Sequence, residues 1–248
     1  MSLLIITSTV NVNSCLTVLV DPEIRLQQYI SSILFYIKIK NLESIIVCDN
    51  SGHDYSKINS LIALAEKYSK KIEFLSFTSD HKNTMRYGKG YGEGEIMEFV
   101  VKNSVLYKNK ENSFFKVTGR IIIPNIEAVI RFTPIGKNCF QRTCFNSLKK
   151  EDKIDTRFYY IKKHEFEKYL IRSYKNVNDN EGFYLEHTFF RSIIRNKIKY
   201  SFFYILPFIK GVSGSTGVDY EIPKRSFIIR SLVNVFFNIL KIKLKISL

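Results

Sequence analysis

The sequence predicts an α/β fold in which helices flank a mostly parallel β-sheet. Three short apolar runs, at residues 3–7, 44–48 and 72–77, alternate with helical periodicity at 22–39 and 55–68. Continuous apolar runs are typical of strands buried on both faces, and the strand–helix alternation implies right-handed crossovers within one sheet. Small polar clusters follow the first two runs, at the edge where such sheets bind ligands.

The first elements have local chemical support. Asp21 can cap the helix at 22–39, and Pro22 suits its first turn because proline lacks the N–H that a first turn leaves unpaired. The strand at 3–7 ends in TST, and the strand at 44–48 ends in the turn cluster DNSG. These clusters are predicted to shape a ligand pocket, and ordinary strand-end turn chemistry is the open alternative.

The stretch YGKGYGEGEIMEFVVKNS, residues 87–104, carries four glycines at alternate positions. It is not the pattern G-x-G-x-x-G, because Glu93 or Glu95 stands where the third glycine is needed, and it is not a Walker A motif. We predict a glycine-rich loop before a helix at 92–102, with backbone N–H groups and Lys89 near a phosphate. The alternative is a surface turn in which both glutamates suit the N-terminus of the helix.

The strand FFKVTGR, residues 114–120, places Lys116, Thr118 and Arg120 at alternate positions. A parallel sheet is covered on both faces, so alternating cations favour a functional role over the alternative of one solvated face. No secondary structure is assigned to 128–145. The remaining predicted elements are a strand at 155–161 and helices at 163–174 and 182–196.

The composition indicates a basic protein with reduced thiols. The formal charge of +15 over 248 residues points to an anionic partner: a nucleotide, a polynucleotide or an acidic membrane surface. The four cysteines contain no C-x-x-C pair, which favours a cytoplasmic protein over a disulfide-bonded one. They are Cys15, Cys48, Cys139 and Cys144. Neither a signal peptide nor an apolar run of about 20 residues is found.

The chain divides by composition into residues 1–210, predicted as one domain, and 211–248, predicted as a flexible loop with a basic amphipathic helical extension. The segment 224–248 has six Lys or Arg and no acid. We predict that it lies on an anionic membrane surface. A helix packed on the domain, with a solvated tail, is the alternative.

Several motifs in this order resemble small bacterial glycosyltransferases of capsule and lipopolysaccharide synthesis. They are TST, Arg25-x-x-x-Tyr29, DNSG, GKGYGEGE and FFKVTGR, spread over residues 3–190. The resemblance implies a GT-A type, Rossmann-like fold, a nucleotide-sugar donor, and a glycan or lipid-linked acceptor at the inner face of the cell membrane.

The resemblance also assigns the donor site. Many GT-A enzymes hold a divalent metal on Asp-x-Asp, a motif absent from this sequence, so we expect no metal or cofactor and a diphosphate balanced by Lys89, Lys116 and Arg120. Glu93 is expected to hold a sugar hydroxyl. The predicted donor-binding residues are Thr7, Ser8, Thr9, Asp49, Asn50, Ser51, Lys89, Gly90, Gly92, Glu93, Lys116, Thr118 and Arg120.

An inverting transfer needs a carboxylate to accept the proton of the acceptor hydroxyl. Glu186 is the first choice, with Asp155 and Asp179 as alternatives, and Arg120 completes the predicted catalytic set with Glu186 and Asp155. His187 has no partner at metal-ligand spacing.

Two other functional classes remain open. A basic nucleic-acid-binding module fits the charge and the aromatics among lysines, although no helix-turn-helix, RRM, KH or zinc pattern is present, so no nucleic-acid partner is expected. A non-catalytic membrane-associated scaffold is the third.

Overall fold

The computed structural model describes residues 2–12, 17–109, 111–143, 145, 152–214 and 216–239. The strands are β1 (Leu3–Ser8), β2 (Ser44–Asp49), β3 (Lys71–Ser76), β4 (Ser113–Thr118), β5 (Ile121–Ile122), β6 (Asn138–Phe140), β7 (Phe158–Lys162), β8 (Tyr200–Phe202) and β9 (Lys210–Gly211). The α-helices are α1 (Pro22–Ile37), α2 (Asn59–Lys67), α3 (His81–Tyr87), α4 (Lys89–Asn103), α5 (Ile126–Arg131), α6 (Lys163–Glu165), α7 (Leu185–Arg195) and α8 (Lys224–Ile239).

Seven strands form one mixed sheet in the order β3-β2-β1-β4-β7-β6-β8. Strands β1 to β4 are mutually parallel, β7 runs antiparallel to both β4 and β6, and β8 is parallel to β6. The register pairs Thr7 with both Cys48 and Thr118, so three neighbouring strands end at one edge. The predicted α/β fold with a mostly parallel sheet is therefore confirmed.

Both faces of the sheet are buried, as the continuous apolar runs predict. Leu4 and Ile6 of β1 pack with α1 and α2, whereas Leu3 and Ile5 pack with α4 and α7 on the opposite face. The predicted cap of α1 is also present, because the Asp21 side chain accepts hydrogen bonds from the N–H groups of the first turn.

Several element boundaries differ from the sequence-based prediction. The helix expected at 55–68 is divided into a 3₁₀ turn, Tyr55–Lys57, and α2. The helix expected at 163–174 is divided into α6, a π-helical turn at Phe166–Leu170 and a 3₁₀ turn that begins at Ser173. The unassigned stretch 128–145 contains most of α5 and all of β6.

The C-terminal part packs against the rest of the chain. Strand β9 pairs with β5, so the boundary predicted between 210 and 211 falls within β9, and the domain division stays a prediction. Buried Asn234 of α8 donates hydrogen bonds to the carbonyl oxygens of Phe203 (2.9 Å) and Tyr204 (3.1 Å). Residues 240–248 lie outside the described residues. Among the described helices, none has the length and apolarity to cross a membrane.

The cysteine prediction is tested only in part. Cys48 and Cys139 are buried free thiols, and burial raises the pKa of Cys139 to about 11. Cys15 and Cys144 lie outside the described residues.

Candidate functional site

A cleft of about 420 Å³ opens at the carboxyl edge of β1, β2 and β4. Parallel strands end there, and α4 and α7 begin there, so strand-end polar groups and helix N-termini face one space. The predicted site residues that line it are Thr7, Ser8, Thr9, Asn50, Lys89, Gly90, Gly92, Glu93, Thr118, Arg120, Asp155 and Glu186.

Asp49 is a structural residue rather than a lining residue of the cleft. It is fully buried, and its carboxylate accepts hydrogen bonds from the hydroxyls of Ser8 and Ser51, both at 2.7 Å, and from the backbone N–H groups of Val10 and His53. Neither Asp49 nor Ser51 lines the cleft. In the structure these two residues join the ends of β1 and β2, and the donor contacts predicted for them stay a prediction.

The glycine-rich stretch is helical and not a loop, because α4 begins at Lys89. Its glycines allow close packing. A Cβ at Gly88, whose φ is +95°, would lie 2.4 Å from the Cβ of Asp179, and a Cβ at Gly94 would lie 2.1 Å from the Cβ of Tyr174. The alternating glycines thus let α4 approach the segment around Tyr174 and Asp179, which a side chain at either position would prevent.

The N-terminus of α4 already contacts a carboxylate. Asp179 Oδ2 accepts a hydrogen bond of 3.0 Å from the N–H of Gly90. Burial raises the pKa of Asp179, and the positive charge of Lys89 acts in the opposite direction. A diphosphate at this helix end would meet a like charge, so the geometry argues against the phosphate role predicted for the Gly90 and Gly92 amides.

Lys116 is buried and does not line the cleft. Its ammonium forms an ion pair with Glu93 and donates hydrogen bonds to Thr118 Oγ1 (3.0 Å) and the carbonyl oxygen of Thr156 (2.9 Å). The side chain of Lys116 is 0% exposed, whereas that of Glu93 is 21% exposed. The charge of Lys116 is matched by Glu93, and its position fixes Glu93 at the cleft wall, while its predicted role beside a diphosphate stays a prediction.

Arg25 lies under the same cleft and was not predicted as a site residue. Its guanidinium donates hydrogen bonds to the carbonyl oxygens of Thr9 (2.9 Å from Nε), Val10 (3.2 Å) and Leu19 (3.0 Å). Burial lowers the pKa of Arg25, and the nearby charge of Arg120 lowers it further. The carbonyl oxygens hold the guanidinium of Arg25 in position but do not neutralise its positive charge.

Arg120 completes a pair of cations. Its Nη1 donates a hydrogen bond to Gln28 Oε1 (3.1 Å), while its Nε is buried and has no hydrogen-bond partner among the described residues. The ring of Tyr29 lies near both guanidinium carbons, at 5.8 Å from that of Arg25 and 6.0 Å from that of Arg120. Among the residues that the structure describes, neither arginine forms an ion pair. Two adjacent cations outside the described ion pairs create a positive potential that attracts an anion.

The two predicted catalytic carboxylates have different surroundings. Asp155 is 3% exposed and forms a two-point ion pair with Arg157, with distances of 2.6 and 3.0 Å. Glu186 lies in the first turn of α7, and within the described part of the chain it forms no ion pair. Burial raises the pKa of Glu186, the charges of Asp155 and Glu93 raise it further, and Lys89 opposes them. A carboxylate with a raised pKa suits proton acceptance near neutral pH.

The expected independence from the divalent metal that GT-A enzymes often use stays a prediction. Within the described ranges, no three His, Cys, Asp or Glu side chains are grouped to hold a metal ion. Glu93 and Asp155, two of the cleft carboxylates, are already paired with cations.

The sequence reasoning missed further cleft residues. Arg25 and Tyr29 appear in the resemblance only as a motif, and Asp179 only as an alternative base. Ser79 follows β3 and lines the cleft, and its Oγ accepts a hydrogen bond of 2.9 Å from Asn50 Nδ2, so the rule that ligands bind at strand ends would have found it.

Comparison with solved structures identifies proteins of the same fold. The crystal structure of the glycosyltransferase GlyE from Streptococcus pneumoniae TIGR4 is similar with a TM-score of 0.54 and 8% identity, over 98% of this chain and 64% of GlyE. Its apo form gives a TM-score of 0.52 at the same identity and coverage. This chain therefore spans less than two thirds of the length of GlyE.

A weaker likeness is found to the mannosyltransferase PcManGT from Pyrobaculum calidifontis, solved in complex with GDP-Man and Mn²⁺. It has a TM-score of 0.45 and 14% identity, over 97% of this chain and 64% of PcManGT. No protein-family model and no curated protein matches the sequence. The likeness to GlyE establishes the fold alone.

Proposed function

We propose that this protein is a glycosyltransferase that moves a sugar from a nucleotide-sugar donor to an acceptor hydroxyl. The observation that carries the proposal is the pair of buried Arg25 and half-buried Arg120, neither of which forms an ion pair in the described chain, in the same cleft as Glu186. A GT-A-like sheet edge with an anion site and a proton acceptor has the parts that this reaction needs.

The donor is oriented by its charge. Its diphosphate binds at Arg25 and Arg120, and its nucleoside lies along the ends of β1 and β2, where Thr9 Oγ1 donates a hydrogen bond to Asn50 Oδ1 (2.6 Å). Thr7, Ser8 and Thr118 border the same space. Two fixed guanidinium groups stabilise the negative charge that grows on the leaving diphosphate, which is where such cations contribute most.

Glu186 is the proton acceptor. In an inverting displacement, the acceptor oxygen bonds to the anomeric carbon, the bond from that carbon to the diphosphate breaks, and the hydroxyl proton passes to the Glu186 carboxylate. Asp155 does not accept the proton itself, because it is paired with Arg157. Its neighbour Glu186 is the carboxylate that stays outside the described ion pairs. No divalent metal is needed in this scheme, since the arginines supply the positive charge.

Release of free nucleotide from a panel of UDP-, GDP-, CDP- and CMP-sugars, measured in EDTA, tests this proposal. We expect turnover of one nucleotide family, with Glu186→Gln lowering kcat at least about 100-fold and Arg120→Ala lowering kcat/KM. Exposed Glu181→Gln is the matched control for charge. Turnover only with added Mn²⁺ would refute metal independence, and normal activity of Arg120→Ala would refute the diphosphate site.

We further propose that the acceptor is a lipid-linked or surface glycan, such as those of capsule or lipopolysaccharide, and that α8 lies on an anionic membrane surface. One face of α8 exposes apolar side chains by between 43% and 73%. This α8 stripe consists of Ile228, Ile229, Leu232, Val235, Phe236 and Ile239.

The charges of α8 favour lipid over a second copy of the chain. Lys224, Arg225 and Arg230 are exposed, and α8 has no acidic residue. Paired helices generally match opposite charges beside an apolar seam, whereas acidic lipid headgroups attract a purely cationic flank.

Co-sedimentation with vesicles tests the membrane surface. We expect the full chain to bind vesicles containing phosphatidylglycerol and to bind neutral phosphatidylcholine vesicles weakly. The double variant Leu232→Gln, Phe236→Gln should lose binding, whereas Val105→Gln, Ile135→Gln, which removes exposed apolar groups elsewhere, should retain it. Equal binding by both variants, or a concentration-dependent dimer that only the α8 variant abolishes, would refute the membrane role.

A further inference from the structure

Asp179 has a carboxylate oxygen without a hydrogen-bond donor inside the candidate cleft. The residue is 6% exposed and lines the cleft, yet its Oδ1 has no hydrogen-bond partner in the described chain. A buried carboxylate oxygen normally accepts a hydrogen bond, because leaving it unsatisfied costs stability. This oxygen can therefore accept a hydrogen bond from a ligand that binds in the cleft.

The position of Asp179 is fixed by its neighbours. Its Oδ2 accepts the hydrogen bond from Gly90, the backbone N–H of Lys89 also acts on the carboxylate, and a Cβ added at Gly88 would lie only 2.4 Å from its Cβ. The adjacent Asn180 donates a hydrogen bond of 2.8 Å to the carbonyl oxygen of Arg86. Contacts on both sides therefore hold the carboxylate while one oxygen stays available.

Other carboxylates of the cleft are committed elsewhere. Glu93 is paired with Lys116, and Asp155 is paired with Arg157. Glu186 has the proton-accepting role proposed above. Among the described residues that line the cleft, Asp179 is thus the carboxylate with a fixed position, no assigned chemistry and an oxygen that accepts no hydrogen bond.

We propose that Asp179 Oδ1 accepts a hydrogen bond from a hydroxyl of the transferred sugar and thereby selects the donor sugar. This inference rests on the proposed glycosyl transfer. A nucleotide-sugar carries hydrogen-bonding groups on its base and ribose. In addition, it brings the hydroxyls of its sugar into the cleft, and these are neutral hydrogen-bond donors. A site that leaves a buried acceptor unpaired without the hydroxyl discriminates strongly against sugars that lack it.

Calorimetric binding to Asp179→Asn separates the sugar from the diphosphate. The amide keeps an oxygen for the Gly90 N–H but replaces the charged acceptor. We expect about 10- to 100-fold weaker binding of the nucleotide-sugar, with binding of the free nucleoside diphosphate changed less than about 3-fold. Glu181→Gln, an exposed acid two residues away, should bind both ligands like the wild type.

Each outcome has a distinct meaning. Equal weakening of both ligands would assign Asp179 a purely structural role, and an unchanged nucleotide-sugar affinity would also overturn the inference. If the wild type binds no nucleotide at all, the proposed function fails instead.

A second measurement does not depend on the folding of a variant. Wild-type protein is titrated with monodeoxy analogues of its donor sugar. The inference requires that loss of one particular hydroxyl weakens binding about 10-fold or more. Equal affinity for every analogue would overturn it.

Discussion

Replacing Gly94 by alanine tests whether glycines in α4 exist for close packing. A Cβ at this position would lie 2.1 Å from the Cβ of Tyr174, whereas ordinary contact begins at 3.4 Å, so the two must separate by 1.3 Å. Tyr174 resists this movement. Its hydroxyl donates a hydrogen bond of 2.5 Å to Glu98, and the Tyr91 ring packs edge-on against it, with a centroid distance of 5.0 Å.

The expected sign is opposite to the usual one for a helix. An unhindered helical Gly→Ala change stabilises by about 1 kcal/mol. Overpacking a buried site costs about 1 to 3 kcal/mol, and the atoms in the way are near the Tyr174 backbone rather than at a flexible tip. We therefore expect Gly94→Ala to lower the free energy of unfolding by about 2 kcal/mol.

Urea unfolding followed by circular dichroism measures this change. Gly92→Ala is the matched control in the same helix, because its nearest atoms are side-chain ends, Asn50 Nδ2 at 3.1 Å and Thr84 Cγ2 at 3.2 Å. We expect it to cost less than about 1 kcal/mol. A Gly94→Ala protein more stable than the wild type would refute the packing explanation.

Three further perturbations follow from the structure. Glu93→Gln leaves the Lys116 ammonium buried without its counter-ion and should cost about 3 to 5 kcal/mol in urea unfolding, whereas Lys116→Met leaves a partly exposed carboxylate and should cost less. Glu186→Gln should be more stable than the wild type at neutral pH, in thermal melts at several pH values. Asn234→Leu should speed proteolysis of α8, since it leaves the carbonyl oxygen of Tyr204 unpaired and that of Phe203 with its bond from Asn238 alone.

The Glu186 prediction follows from its raised pKa. The folded protein holds this proton more tightly than the unfolded chain, so stability falls as pH rises from the ordinary pKa of a glutamate through the folded pKa. The advantage of Glu186→Gln should vanish below that window. An advantage that is independent of pH would contradict the argument.

Controls separate the other two predictions. If Glu93→Gln and Lys116→Met cost the same amount, the difference in exposure between the two partners does not matter. If Asn234→Leu leaves the proteolysis of α8 unchanged, the hydrogen bonds of Asn234 do not anchor the helix.

The sequence predicts the sheet well because the residues of each parallel strand indicate both its burial and where it ends. Leu3 to Ile6 are all apolar, which indicates burial on both faces, and the polar residues Thr7, Ser8 and Thr9 mark the strand end that borders the cleft. A strand can be predicted from such a local pattern without knowing which residues are neighbours in space.

The interpretation of the glycines and of Lys116 depends on distant partners. Glycine disfavours a helix, so alternate glycines suggest a loop, and only contact with Tyr174, 80 positions away from Gly94, makes them compatible with α4. The alternation around Lys116 shows that it shares a strand face with Thr118. It does not show that Glu93 of α4 meets it there.

Arg25 was missed for a similar reason. On α1 it follows the periodicity of an ordinary amphipathic helix, where an arginine is normally exposed. Its burial results from carbonyl oxygens beyond the end of β1, which converge on it only after the chain folds.

The most direct test of nucleotide-sugar binding at Arg25 and Arg120 is the melting temperature of the protein with each nucleoside diphosphate and its sugar conjugates in EDTA. Ligand at 100 times its Kd should stabilise the wild type by about 2.7 kcal/mol. One nucleotide family should therefore raise the melting temperature of the wild type and leave Arg120→Ala unchanged. No shift with any nucleotide, together with salt-sensitive binding to DNA or RNA, would contradict the proposed function and favour a nucleic-acid-binding protein.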